Sequence, residues 1–287
     1  MARRVLVTGA AGYIGRHVVA GLRTLGVDVV AIVRPGDGET VSIPDCEVRE
    51  HDTIADPEPG EGFFAGIDAV IHLAWRDGFV LNSPSHPRDL SAHYRFLTAA
   101  AAGGVGTIAG VGTMHEIGYW EGAIGADTPS NPQNLYGVAK AALRDSLELT
   151  FKGTETTFQW LRCYYLIGDE ERSNSVLNKV LAADQRGDTE FPFTSGKNLY
   201  DFTPVETVGL MMAKAVSQTH VAGVIECASG APLALKDAVE QFIARRGLAI
   251  QLAYGSFPDR PFDSPGVWGD ASKISAILAD ATAPNVK

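Results

Sequence analysis

Cysteine, clustered histidine, long apolar runs and basic runs are all scarce in this chain, and each scarcity removes a class of protein. The three cysteines, Cys46, Cys163 and Cys227, stand singly. They are too few and too scattered for a disulfide framework or a thiolate metal site, and read as reduced core residues of a cytoplasmic protein. The seven histidines form no His-Glu-x-x-His or comparable cluster, so no metal is expected. No apolar run approaches the roughly 20 residues that span a bilayer, and no membrane segment is expected. The first strand-like run begins at Val5, which predicts no targeting peptide. The stretch after Arg3-Arg4 is broken by Gly9, Gly12, Gly15 and Arg16, unlike a twin-arginine signal. The formal net charge is −10, so binding to nucleic acid or an anionic membrane is not expected. Helix termini and single arginines can still hold a local anion.

What is present is an ordinary globular composition, 45% hydrophobic and 20% charged, in 287 residues. That length suits one large domain, or one domain with an annex. Val5-Leu6-Val7-Thr8 is a short apolar run that stops at Gly9. Helical periodicity follows over residues 13–25, then apolar runs over 27–33, 68–73 and 105–111, with a helical segment over 88–102. A helix over 134–151 and an apolar run over 156–166 complete the first part. Nearly all-apolar strands alternating with helices predict a parallel sheet covered on both faces, a doubly wound Rossmann-type α/β fold. After Gly168 the chain is more polar. A helical stretch over 176–186 is followed by shorter elements over 204–218, 223–228, 235–246 and 271–279, and by a Pro/Gly-bearing loop over 255–269. The expected organisation is a dinucleotide-binding domain over 1–167 and a smaller α/β substrate-binding annex over 168–287. Some annex elements should return to the first sheet.

Thr8-Gly9-Ala10-Ala11-Gly12-Tyr13-Ile14-Gly15 joins the first strand to the first helix. Glycines at these places allow a tight turn, close approach of backbone to a pyrophosphate, and close helix–strand packing. The helix start then offers free N–H groups and the positive dipole end. Arg34 closes the second apolar run, where an acidic residue would bond a ribose 2′-hydroxyl and an arginine suits a 2′-phosphate. NADPH is therefore expected as cofactor, with NADH possible. Tyr136 and Lys140 are four residues apart on the helix over 134–151, so their side chains share one face. Free tyrosine has a pKa of about 10, and a nearby cation favours the phenolate. A phenol beside an ammonium is thus a tunable acid or base for carbonyl–alcohol interconversion.

With these motifs the chain resembles the extended short-chain dehydrogenase/reductase family, in its nucleotide-sugar epimerase/dehydratase/reductase group. Residues 8–15 match the family's TGxxGxxG, which makes Gly9, Gly12, Tyr13, Ile14 and Gly15 cofactor-binding positions. Asp52, with Thr53, resembles the acidic segment that contacts the adenine. Ile71-His72-Leu73-Ala74 resembles the fourth strand, whose Leu73 and Ala74 would run beside the cofactor. Tyr136 and Lys140 match YxxxK. Gly112-Thr113-Met114-His115-Glu116-Ile117-Gly118 resembles STxxVYG, with Thr113 as the third catalytic member, Gly112 for Ser and Ile117 for Tyr. Residues 200–205 resemble RDFxxV, with Tyr200 for Arg. In residues 161–168, Tyr165 stands where the family carries an Asn that touches the substrate diphosphate; Asn174 is the nearest alternative. Residues 112–124 and Leu135-Tyr136-Gly137 look most like reductases of nucleotide-linked 4-keto-6-deoxyhexoses.

The resemblance implies reduction of the C4 ketone of such a sugar, a dTDP sugar foremost. Tyr136 would donate the proton. Lys140 would lower the Tyr136 pKa and bond the nicotinamide ribose. Thr113 would orient the carbonyl oxygen, and Met114, His115 and Glu116 would border the sugar. Trp75 would fill the interface with the annex or border the nicotinamide. A homodimer through helices that include the Tyr136 helix is expected. Three other readings stand beside this one: a 4-epimerase that retains NAD, a non-catalytic dinucleotide-sensing protein, and a reductase of small carbonyls.

Overall fold

The first strand, Arg4–Thr8 (β1), carries Val5, Leu6 and Val7 without solvent exposure, as a strand covered on both faces requires. In the computed structural model, which describes residues 4–37, 43–168, 175–259 and 263–280, the chain continues through α1 (Gly15–Thr24), β2 (Asp28–Val33), β3 (Glu47–Glu50), β4 (Ala69–His72), α2 (Ser85–Ala102) and β5 (Thr107–Thr113). A 3-10 turn at Met114–Glu116 leads to β6 (Gly122–Ile124), α3 (Leu135–Phe151), β7 (Thr157–Cys163) and β8 (Tyr165–Ile167). Then come α4 (Val176–Gln185), β9 (Glu190–Pro192), β10 (Leu199–Tyr200), β11 (Phe202–Pro204), α5 (Val205–Val216) and β12 (Gly223–Cys227). The last elements are β13 (Leu233–Ala234), α6 (Leu235–Arg246), β14 (Gln251–Ala253), β15 (Gly266–Gly269) and α7 (Ser272–Ala279).

Seven strands form one parallel sheet in the order β3-β2-β1-β4-β5-β7-β12. Successive side chains of a strand point to opposite faces. Val5, Val7 and Ile71 accordingly face α1, α5 and α7, whereas Leu6, Val30 and Val70 face α2 and α3. This is the Rossmann-type arrangement expected. The strand order reverses between β1 and β4, and in such sheets ligands bind outside the carboxyl ends of the strands at that point.

Asn134 starts α3. Its backbone is extended, and its side-chain oxygen accepts from Gly137 N at 2.8 Å, a cap worth about 1 kcal/mol. Two more first-turn N–H groups are satisfied from the loop after β4: Leu135 N donates to Asn82 Oδ1 at 3.1 Å, and Tyr136 N to Leu81 O at 2.9 Å. The cap sets where the helix begins, and so aims Tyr136 and, one turn on, Lys140 at the carboxyl ends of β5 and β7.

The second part of the chain builds a four-stranded sheet, β13-β10-β15-β6, and a separate core under α4 and α6. Traffic runs both ways. β6 comes from the first part and pairs with β15, while α5, α7 and β12 come from the second and complete the first sheet's layers. Two expectations need correction. The loop over 255–269 ends in a strand, β15, whose Val267 is buried; its flanking glycines hid it. β3, with the polar sequence Glu-Val-Arg-Glu, was not anticipated; it is an edge strand that meets solvent, where charge is favoured. Cys163 and Cys227 lie in the core, but Cys46 is only half-buried at its margin. Among the described residues no helix is long and apolar enough to cross a membrane.

Candidate active site

Gly9 turns the chain out of β1 with φ +65°, a region that disfavours side chains, and a Cβ there would stand 2.9 Å from Ala74 N. At Gly15 a Cβ would stand 2.1 Å from Gly9 O. The loop thus folds tightly onto the end of β4 and delivers the start of α1 to the switch point. Bare backbone and a helix N-terminus at this place form a cradle that fits the pyrophosphate of a dinucleotide. Gly9, Gly12, Tyr13, Ile14, Gly15 and Leu73 line a cleft of about 1550 Å³ together with Thr113, Tyr136 and Lys140.

Thr113 ends β5 and caps the turn that follows. Its hydroxyl accepts from His115 N at 3.3 Å, and its N–H donates to Glu116 Oε1 at 2.7 Å. The Thr113 side chain lies beside the Tyr136 phenol. Lys140 is 4% exposed. Its ammonium donates to Val111 O at 2.7 Å, lies 3.7 Å from the centre of the Trp75 ring, and lies 5.8 Å from that of Tyr136. The expected lowering of the Tyr136 pKa by Lys140 is corrected here. Burial pushes the phenol well above its usual value, Cys163 and Glu116 add to the rise, and the Thr113 side chain opposes it. Burial also pushes Lys140 down to about 7, against the pull of Glu116 and Cys163. Proximity alone suggested a phenolate; desolvation outweighs it.

A directed chain of hydrogen bonds runs behind the glycine loop. Leu73 N and Ala74 N both donate to Thr8 Oγ1, at 3.1 Å each. With both lone pairs taken, the Thr8 hydroxyl donates to His72 Nδ1 at 2.8 Å, and His72 Nε2–H then donates to His93 Nδ1 at 2.8 Å. Each ring keeps one unprotonated nitrogen, so both are neutral. Burial acts the same way, pushing His72 down to about 3 and His93 well below its usual value. Trp75 stacks on His93 at 4.2 Å and 7°, and its Nε1–H donates to His86 Nδ1 at 3.0 Å. It therefore packs on α2 and borders the cleft.

Met114, His115 and Tyr165 also line the cleft. Burial lowers the His115 pKa, and the Tyr165 ring packs on Tyr200 at 4.4 Å. Arg34, Asp52 and Thr53 lie outside the lining, after β2 and β3. Arg34 is 83% exposed and pairs with Asp37 at 3.0 Å. Asp52 accepts from Ile54 N at 2.9 Å and from Arg76 at 3.2 Å, and Thr53 is buried. Ala74 meets the glycine loop through its backbone. Asn174 lies outside the described residues.

Comparison with known sequences decides the family. The profile described as NAD dependent epimerase/dehydratase family matches residues 5–227. This chain belongs to the NAD dependent epimerase/dehydratase family. It is 39% identical over 267 residues to the dTDP-6-deoxy-L-talose 4-dehydrogenase (NAD(+)) of Aggregatibacter actinomycetemcomitans, covering 92% of this chain and 98% of that one. Among solved structures, MoeE5 in complex with UDP-glucose and NAD is 26% identical with a TM-score of 0.75, over 96% of this chain and 92% of that one. The UDP-glucose 4-epimerase of Thermotoga maritima, solved with UDP-glucose, is 20% identical with a TM-score of 0.78, over 95% and 91%, and shares the fold.

Beneath the site of this epimerase/dehydratase-family enzyme lies a buried network that sequence reasoning missed, and it corrects the expectation that Glu116 borders the sugar. Glu116 has no solvent exposure, lies outside the cleft lining, and accepts from Trp160, Arg144, Arg162 and the Thr113 N–H. Arg162 also pairs with Glu226 at 2.7 Å. One signal was available. Gly110 and Gly112 alternate along β5 on one face, and a strand with two such gaps on a face marks a large neighbour. Trp160 lies opposite Gly110 and fills the space.

Proposed function

We propose that this enzyme reduces the C4 ketone of a nucleoside-diphosphate 4-keto-6-deoxyhexose, a dTDP sugar foremost, in deoxysugar biosynthesis. The observation that carries the reading is the convergence of Thr113, Tyr136 and Lys140 in the cleft that the glycine loop opens. The Aggregatibacter relative adds support, because its name describes oxidation at C4 of dTDP-6-deoxy-L-talose, the reverse of the proposed reduction.

A nicotinamide cofactor held at the glycine loop would supply the hydride that C4 receives. Tyr136 Oη gives its proton to the carbonyl oxygen as negative charge develops there, and the ketone becomes a secondary alcohol. Burial holds the phenol protonated through neutral pH, the form a proton donor needs. Thr113 hydrogen-bonds the same oxygen, and charged Lys140 stabilises the phenolate that Tyr136 becomes. Met114, His115 and Tyr165 border the sugar. For the cofactor, Arg34 supports NADPH, whereas Asp37 beside it supports NAD(H): its carboxylate partly neutralises Arg34 and would repel a 2′-phosphate. With the NAD(+) in the relative's name, we take NAD(H) as the preferred form.

The test is a coupled assay that supplies dTDP-4-keto-6-deoxyglucose with NADH or NADPH, with and without a 3,5-epimerase. Cofactor oxidation with formation of a 4-hydroxy product is expected. No oxidation with dTDP or CDP substrates would sink the proposal. Interconversion of C4 epimers without net cofactor turnover would assign an epimerase instead.

A further inference from the structure

Trp75 is fixed on two sides before Lys140 reaches it. Its indole N–H is bonded to His86 Nδ1, and His86 Nε2 is in turn anchored to Val80 O at 2.9 Å. Its ring lies parallel to His93, which is held through His72 and Thr8. An edge contact with the Tyr136 ring, at 6.0 Å and 76°, ties it to the proton donor. The Lys140 ammonium sits 3.7 Å from the centre of this immobilised ring, well inside the range of about 6 Å over which a cation is attracted to an aromatic face.

Lys140 depends on that attraction because little else holds its charge. Among the described residues it forms no ion pair, and its one hydrogen bond is to Val111 O. The groups that face it are Glu116 from the turn after β5 and Cys163 from β7, His72 from β4, His93 from α2, and Tyr136 from its own helix. Glu116 favours the charged form from a distance; the histidines and the phenol are uncharged. A buried ammonium with one carbonyl partner tends to lose its proton.

We propose that Trp75 is a positioning residue whose aromatic face keeps Lys140 charged and aimed at Tyr136. The inference rests on the reading of Tyr136 and Lys140 as the proton-transfer pair. It assigns the site a part that neither glycine loop nor Tyr-x-x-x-Lys spacing contains.

The experiment is a titration of Lys140 by NMR of lysine labelled at Cε, with the signal assigned by its loss in Lys140→Met. Trp75→Met keeps an apolar side chain but has no aromatic face. It is expected to lower the Lys140 midpoint by about one pH unit, equivalent to ~1.4 kcal/mol. Trp75→Phe, which restores a face, should shift it by less than half as much. The alkaline limb of kcat/KM should move down with the midpoint, because charged Lys140 is the active form. An unchanged midpoint in folded Trp75→Met would overturn the proposal. Should that variant not fold, His86→Leu releases the indole N–H and should lower the midpoint in the same direction; no shift there would be equally fatal. Retained turnover in Tyr136→Phe and Lys140→Met would sink the catalytic reading while leaving the titration result intact, so the two failures are distinguishable.

Discussion

The indole Nε1–H of Trp160 donates to both carboxylate oxygens of Glu116, at 2.9 and 3.0 Å, directly beneath Thr113. This pair explains why glycine stands at position 112. A Cβ there would lie 2.1 Å from Trp160 Nε1 and 2.5 Å from Glu116 Oε1. Gly112→Ser should therefore destabilise the fold by about 1–3 kcal/mol, the usual cost of forcing atoms into a packed core. It should also lower turnover, because Glu116 holds the Thr113 backbone. Thermal melts and steady-state rates check both effects. An unchanged melting temperature would refute the packing argument, and Trp160→Phe in the same chain should recover part of the loss.

His72 should make stability sensitive to acid. In the unfolded chain its pKa is about 6.5, and in the fold burial lowers it to about 3. Between those values the unfolded state binds a proton that the native state refuses. Stability is thus fully present above pH 6.5 and falls as pH drops toward 3, with a limiting slope of ~1.4 kcal/mol per unit for this one group. Urea unfolding at a series of pH values measures the slope. His72→Gln should flatten it, and an equal slope in the two proteins would remove His72 as the cause.

Much of the fold and part of the site were legible because they are local. Tyr136 and Lys140 share a helix face by spacing alone, and Asn134, just before that helix, is the residue that caps it. The glycine loop announces itself as a strand, a turn and a helix in sequence. The rest depends on contacts between distant segments. Trp75 meets Lys140, and Glu116 meets Trp160 and Arg162, only once β4, β5, β7 and α3 are assembled. The direction of the Tyr136 shift was misjudged for the same reason. Four-residue spacing establishes neighbours, whereas the protonation state follows from burial, which spacing does not reveal.

Asp37 should set cofactor preference. Residue 32 of β2 lies in register with Thr8 at the end of β1, so the segment after Val33 runs beside the glycine loop, where the adenosine ribose would lie. Asp37→Ala frees Arg34 from its carboxylate partner and should lower KM for NADPH relative to NADH by about tenfold, the equivalent of ~1.4 kcal/mol. Arg34→Ala should raise KM for NADPH more than for NADH. Kinetics with both cofactors decide. Equal changes in Asp37→Ala would exclude that carboxylate from cofactor selection.

Tyr136→Phe separates binding from chemistry. The ring keeps its contacts with Trp75, His86 and His115, so the fold and cofactor affinity should be retained. The phenolic proton is lost, and turnover should fall by roughly 10²–10⁴-fold, the usual contribution of a positioned general acid. Thr113→Val removes the hydroxyl proposed to hold the carbonyl oxygen but leaves the proton donor in place, and should cost less. Fluorescence titration with NADH and single-turnover rates test the two halves separately. If Tyr136→Phe turned over within a few fold of the parent, the proton would have to come from another cleft group. His115, 6.1 Å from the Tyr136 ring, would be the next to replace, although burial lowers its pKa and leaves little imidazolium to donate at neutral pH.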